Sequence, residues 1–301
     1  MEIIYGLNKV KKYRRPVVAL GVFDGVHCGH RHILQGVVRQ AHLIHGTAMM
    51  LTFWPHPQKK ESLYSLEHRL KLVQELGVDV AVVISFTEQF SRISSTDFIK
   101  DVLVKRIGAE EIYVGRNFRF GRGAAGDVKL LKSLSLLYNH KVRVFEVIKK
   151  KQKTVSSTYI RQLITKGDLS AASALLARPV TVLGTVVRGD SQGRKLGFPT
   201  ANINPHHEIL PPSGIYAVRI KLGNRNLQGI CYVGRKPTFK RCAEKSIEVH
   251  IFNFKKKLYA KNMEIQFLRK IREDKKFSSK VGLVKQIKKD IIRAKRILSA
   301  T

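Results

Sequence analysis

The chain has 301 residues, 44% of them hydrophobic, which is enough for two domains with separate cores. No apolar run is long enough to cross a bilayer, and the start Met1-Glu2-Ile3-Ile4-Tyr5 lacks a basic segment followed by an apolar one, so a soluble, cytoplasmic protein is expected. The 56 Lys and Arg against 22 Asp and Glu give a net charge of +34, while Cys28, Cys231 and Cys242, with no Cys-x-x-Cys spacing, argue against a disulfide framework or a zinc site. Such a charge attracts polyanions in general. The basic clusters, such as Lys149, Lys150 and Lys151, or Lys275 and Lys276, lie between the motifs, and no nucleic-acid module accompanies them. The excess therefore reads as a compositional bias toward lysine, with no specific nucleic-acid partner, no membrane partner, and a monomer or weak oligomer expected.

In chain order, Pro16 to Leu20 is a short β-branched run that reads as a buried strand. Gly21-Val22-Phe23-Asp24-Gly25-Val26-His27-Cys28-Gly29-His30 follows, and then Ile33, Leu34, Val37, Val38, Ala41 and Ile44 keep helical spacing. A strand, a glycine-rich turn and a helix start make a site for an anion: the glycines let backbone approach, and the first N–H groups of the helix point outward. His27 and His30 can donate hydrogen bonds to phosphoryl oxygens. The stretch resembles the signature of the nucleotidylyltransferases that share His-x-Gly-His, and its form with Phe23-Asp24-Gly25-Val26-His27 resembles in particular the bacterial bifunctional riboflavin kinase/FAD synthetases.

Thr47 to Phe53, Val78 to Ile84, Glu111 to Val114 and Lys141 to Ile148 read as further strands, with helices at Ser65 to Leu76 and Thr96 to Ile107 between them. That alternation predicts a parallel sheet with its ligands at the carboxyl ends of the strands. Lys149 to Lys153 reads as a solvated loop. Ser156-Ser157-Thr158-Tyr159-Ile160-Arg161 opens a helix with hydroxyls and a cation, a second anion-binding pattern, and it resembles the second signature of the same family. The loop Gly115-Arg116-Asn117-Phe118-Arg119-Phe120-Gly121 resembles another of its motifs.

From about Arg178 the pattern becomes short alternating runs, Val180 to Val187, Ile215 to Leu222, Leu227 to Val233, Ser246 to Phe252 and Met263 to Leu268, which predict an antiparallel barrel. A last helix carries Val284, Ile287, Ile291, Ala294 and Leu298 on one stripe, expected to pack on the barrel, with Lys285, Lys288, Lys289, Arg293 and Lys295 facing outward. Within this half, the loop from Gly189 to Asn202 contains Gly197-Phe198-Pro199-Thr200-Ala201-Asn202, which closely resembles the riboflavin kinase signature.

The resemblance implies an N-terminal Rossmann-like FMN adenylyltransferase domain, residues 1–177, and a C-terminal β-barrel riboflavin kinase domain with a terminal helix, residues 178–301. It implies ATP, riboflavin, FMN and FAD as substrates and products, and Mg2+ as cofactor. In the first domain it places ATP and FMN on Gly21, Phe23, Asp24, His27, His30, Asn117, Ser157, Thr158 and Arg161, with His27 and His30 catalytic. In the second it places ATP and flavin on Gly189, Gly193, Lys195, Gly197, Pro199, Thr200, Asn202 and Arg272, the metal on Thr200 and Asn202, and the general base on Glu248. Both metal positions are oxygen donors, which a hard cation prefers. The chain departs from the family's usual pattern at Tyr232-Val233-Gly234, where Asn-x-Gly is common, at Leu258-Tyr259-Ala260, where Leu-Tyr-Gly is common, and at Asn253 and Lys255, where acidic residues are common.

Overall fold

The apolar runs of the first half form a six-stranded sheet in a computed structural model that describes residues 1–57, 62–150, 152–189, 192–235, 245–254 and 256–300. Lys151, Cys242 and Lys255 lie outside the described residues. The chain divides into two units, Met1–Ser62 with Leu66–Ser157, and Leu63–Ser65 with Thr158–Thr301.

In the first unit β1 (Glu2–Tyr5), β2 (Pro16–Leu20), α1 (Cys28–Leu43), β3 (Thr47–Trp54), α2 (Leu66–Gln74) and β4 (Val80–Ser85) come first. Two short turns of helix, α3 (Glu88–Ser91) and α4 (Ser95–Asp97), lead into a π-helical segment, Phe98–Ile107, and β5 (Glu111–Gly115), α5 (Val128–Ser133) and β6 (Lys141–Phe145) complete it. All pairings are parallel, in the order β1-β4-β3-β2-β5-β6. β2 is buried along its whole length, as a strand covered on both faces must be. Val18, Leu20, Leu51, Val82, Ile112 and Val114 join Phe98, Ile99 and Leu103 in one core. Against α1, Gly36 admits the ring of Phe145, since a Cβ there would stand 2.9 Å from Cζ. The order reverses between β3 on one side of β2 and β5 on the other, which puts the topological switch point, the usual ligand crevice, at the carboxyl ends of β2 and β5.

A two-strand hairpin, β7 (Lys149–Lys150) with β8 (Lys153–Thr154), stands where a solvated loop was expected. After it come α6 (Ser157–Lys166) and α7 (Leu169–Leu176), then β9 (Val180–Val187), α8 (Gln192–Lys195), β10 (Ala201–Asn204), β11 (Gly214–Leu222), β12 (Arg225–Arg235), β13 (Lys245–Ile251), β14 (Asn262–Arg272) and α9 (Lys280–Ser299). Six strands close a barrel in the order β10-β13-β12-β11-β14-β9, every pair antiparallel. Val182, Tyr216, Val218, Cys231, Val233, Ile247, Val249, Ile265 and Phe267 are buried there. Ser279 caps α9 by accepting the Gly282 N–H at 3.1 Å, and Ala294 and Leu298 pack with Ala217, Ile230 and Ile271 of the barrel. The lysines assigned to the outer face of this helix are exposed.

Candidate active sites

The first site grows from the turn after β2. Phe23 turns the chain at φ 52° and Gly25 at φ 78°, and Val26 follows at φ 40° before His27 caps α1. The His27 Nδ1 accepts the His30 N–H at 3.3 Å, which leaves its Nε2 as the ring's donor. The two imidazoles stack with centroids 3.6 Å apart, and the Phe23 ring meets His30 edge-on at 5.3 Å. Gly29 makes this possible, because a Cβ there would stand 3.2 Å from the His27 ring; Gly21 likewise makes room for Phe23. Asp24 is buried, and its carbonyl accepts the Ser157 hydroxyl at 2.8 Å. Asn117 is exposed in the turn after β5, the strand paired with β2. Gly21, Phe23, Asp24, His27, His30 and Ser157 thus gather around one turn, and Asn117 stands at the end of the adjacent strand.

One residue absent from the sequence reading supports this turn. Arg69 of α2 is wholly buried and donates from Nη1 to the Val22 carbonyl at 2.6 Å, an oxygen that also accepts the Thr52 hydroxyl at 3.0 Å. Its guanidinium lies over the Trp54 ring at 5.4 Å. Burial pushes it below the usual arginine range, against the pull of Asp24. The signal was present: Leu66, Arg69, Leu70 and Val73 share a helical stripe, so a cation occupies the buried face of α2.

Thr158 and Arg161 belong to the second unit, Thr158 exposed and Arg161 half-buried on the first turn of α6, whose Ile160, Leu163 and Ile164 are buried.

The second site is on the barrel. Gly193 and Gly197 shape the turn that carries Phe198-Pro199-Thr200: the Phe198 N–H donates to the Gly193 carbonyl at 2.8 Å, a Cβ at 193 would stand 2.5 Å from the Phe198 oxygen, and Gly197 adopts φ 85°. At Gly189 a Cβ would stand 2.1 Å from the Asn202 amide. The loop has to be glycine-rich because backbone and side chains meet there. A cavity of about 350 Å³ opens beside it, with Gly189, Pro199, Thr200 and Asn202 in its wall and Arg194, Lys256 and Lys257 supplying positive charge. Lys195 is exposed on the same short helix.

Thr200 donates its hydroxyl to Glu248 Oε2 at 3.2 Å, and Asn202 is the register partner of Glu248. Two neutral oxygens and a nearby carboxylate, facing a basic cavity, fit a hard cation whose shell is completed by phosphate and water. Among the described residues no group of three His, Cys, Asp or Glu could hold a metal alone.

Arg272 is held by bonds within its own unit. Its Nε donates to both Asp290 carboxylate oxygens at 3.1 and 3.0 Å, its Nη2 stands 2.9 Å from Asp290, and its Nη1 donates to the Glu273 carbonyl at 2.9 Å. Nε and Nη2 tie β14 to α9, while Nη1 closes a local bond to the next residue.

Comparison with known proteins follows this division. A family model described as FAD synthetase matches residues 9–159, and one described as riboflavin kinase matches residues 176–298. Proteins named bifunctional riboflavin kinase/FMN adenylyltransferase match along nearly the whole chain. That of Buchnera aphidicola from Schizaphis graminum is 35% identical over 97% of both chains, that of Bacillus subtilis 34% identical over 95% of this chain and 93% of its own, and that of Escherichia coli K12 32% identical over 100% and 99%. A solved structure described as a macrolide-efflux protein from Streptococcus pneumoniae superposes with a TM-score of 0.85 at 26% identity, covering 98% of this chain and 99% of that one. No helix among the described residues is long and apolar enough to cross a membrane. With both family models in the order of the two units, and whole-length relatives above 30% identity, this chain belongs to the family of bifunctional riboflavin kinase/FMN adenylyltransferases.

Proposed function

We propose that the chain makes FAD in two steps with one site for each. The barrel site transfers the γ-phosphate of ATP to riboflavin. The site at the switch point of the parallel sheet then joins FMN to a second ATP, the FMN phosphate attacking the α-phosphorus and pyrophosphate leaving. The reading is carried by one observation: each family model falls on a stretch that holds its own glycine-shaped anion turn.

In the adenylyl transfer the His27 Nε2–H and the His30 ring stabilise charge on the phosphoryl oxygens, from a turn that Arg69 braces beneath. Ser157, Thr158, Arg161 and Asn117 supply further contacts to the nucleotide. Their work is alignment and electrostatics, since no covalent enzyme intermediate is required. In the kinase the Glu248 carboxylate accepts the proton of the flavin's ribityl hydroxyl as that oxygen attacks. Thr200 and Asn202 would hold Mg2+ with the nucleotide phosphates, and the bound ion would neutralise charge developing on the transferred group. Arg194, Lys256 and Lys257 draw the polyphosphate into the cavity.

The test is chromatography of products from riboflavin, ATP and Mg2+. The unaltered chain should give FMN and FAD. His30→Ala should accumulate FMN while FAD formation falls by about two to three orders of magnitude, the usual worth of a transition-state donor. Glu248→Gln should do the reverse: FMN supplied from outside still becomes FAD, and riboflavin is left unphosphorylated. Unchanged FAD formation in a folded His30→Ala variant removes the histidines from the mechanism, and normal riboflavin phosphorylation by Glu248→Gln removes the base.

A further inference from the structure

The strand registers place Asn202 and Glu248 in a row of residues that runs across the barrel. Val187 of β9 pairs with Asn202, Asn202 with Glu248, Glu248 with Tyr232 of β12, Tyr232 with Ile215 of β11, and Ile215 with Arg272 of β14. Directly opposed residues on antiparallel strands point to the same face. The sequence neighbours Ile203, Ile247, Val249, Cys231, Val233 and Ile271 are buried, so the row lies on the outer surface of the barrel. Glu248 therefore has two sides. On the β10 side are Thr200, Asn202 and the basic cavity, which suit the polyphosphate. Tyr232 stands on the other side, which is left for the hydroxyl that Glu248 activates.

Tyr232 is engaged there. Its hydroxyl donates to Asp274 Oδ2 at 3.0 Å. Gly234 lets the ring fold back, since a Cβ at that position would stand 2.4 Å from the Tyr232 oxygen. Burial, and then the bond to Asp274, push the phenol up to about 12, so the hydroxyl keeps the proton it donates throughout the neutral range. Asp274 lies just beyond β14, in a segment held at its root by the Arg272 pair with Asp290, while the Arg272 guanidinium lies 5.6 Å from the Phe277 ring.

We propose that the Tyr232–Asp274 hydrogen bond is a latch that holds the segment after β14 beside Glu248 and sets how well the kinase site accepts its flavin. Tyr232 is a positioning residue: it acts through Asp274 and the segment, not on the reacting atoms. The inference rests on Glu248 as the base.

The test uses the full chain and steady-state phosphorylation of riboflavin, with riboflavin and ATP varied separately. Tyr232→Phe keeps the ring and removes the donor; Asp274→Ala removes the acceptor. Each should raise the KM for riboflavin about tenfold, the worth of a hydrogen bond to a charged group, and leave the KM for ATP within about twofold. The double variant should be no worse than either single one, because both break the same bond. Riboflavin binding followed by its fluorescence should weaken in parallel. The latch is refuted if the KM for riboflavin stays unchanged in both single variants, if both KM values rise together, or if the two effects add. Failure of the base reading would show separately, as normal turnover by Glu248→Gln with any outcome at Tyr232.

Discussion

Ala260 adopts φ 59°, in the left-handed region where the Cβ of an L-residue crowds the following carbonyl. Its N–H donates to the Val186 carbonyl at 3.0 Å, which ties the turn to the end of β9. Glycine here would relieve about 1 to 2 kcal/mol of strain and return part of it as unfolded-state entropy. Ala260→Gly should therefore stabilise the fold by about 0.5 to 1 kcal/mol, seen as a higher urea midpoint at unchanged slope. A lower midpoint would show that Ala260 is unstrained. Val26, at φ 40° and wholly buried, is a different case. A β-branched residue in that region is a true outlier, and it stands directly before the helix-capping His27, where its strain is held by the packed surroundings.

At the scale of elements, α9 is attached to the barrel by an apolar stripe and by the ion pair of Asp290 with Arg272. Asp290 is 3% exposed at its side chain and Arg272 19%, and Gln286 adds a third donor to the carboxylate at 2.9 Å. Removing one member of such a pair leaves the other charge buried and uncompensated, which costs about 3 to 5 kcal/mol. Asp290→Ala should lower the unfolding free energy of the kinase unit by that amount in a denaturant titration; a loss below about 1 kcal/mol would mean that water takes over the role of the carboxylate. The same helix shows what a sequence can disclose. Its stripe of Val284, Ile287, Ile291, Ala294 and Leu298 announces a packed face, but Asp290 and its partner at 272 are invisible without the fold. β2, β3, β4 and β5 were legible because strands buried on both faces leave continuous apolar runs. β1 was not, having only Ile4 buried, and neither was β10, which hides inside a motif of Pro, Thr and Asn. The histidines, the glycines and Thr200 stood out because their chemistry is local. Tyr232 and Asp274 did not, because their meeting depends on the register of β12 and on a turn more than a strand away, and register is set by pairing and not by either strand alone.

For the molecule as a whole, the two units have separate cores, and the second begins before the barrel. Leu169, Ala172, Leu175 and Leu176 of α7 are buried within it, and α7 touches β9 and β14. A chain of residues 158–301 expressed alone should fold and phosphorylate riboflavin, and one of residues 178–301 should be less stable, since it exposes the surface that α7 covers. Burying each such leucine is worth about 1.5 to 3 kcal/mol, so the gap should be plain in a thermal melt. Equal melting temperatures would show that α7 adds nothing to the barrel.

The row from Asn202 through Glu248 and Tyr232 to Arg272 includes two pairings between strands far apart in the chain, β10 with β13 and β11 with β14, and is complete only when every pairing has formed. No hairpin taken alone carries more than two of its members. Folding and kinase competence therefore arise in a single event: a partly zipped barrel is not a weaker kinase but an inactive one. Because the β10–β13 and β11–β14 pairings join distant segments, that event carries a loop-closure cost that the hairpins do not. During refolding, riboflavin phosphorylation should be the last signal to return and should return with a single rate, a functional clock for closure of the barrel.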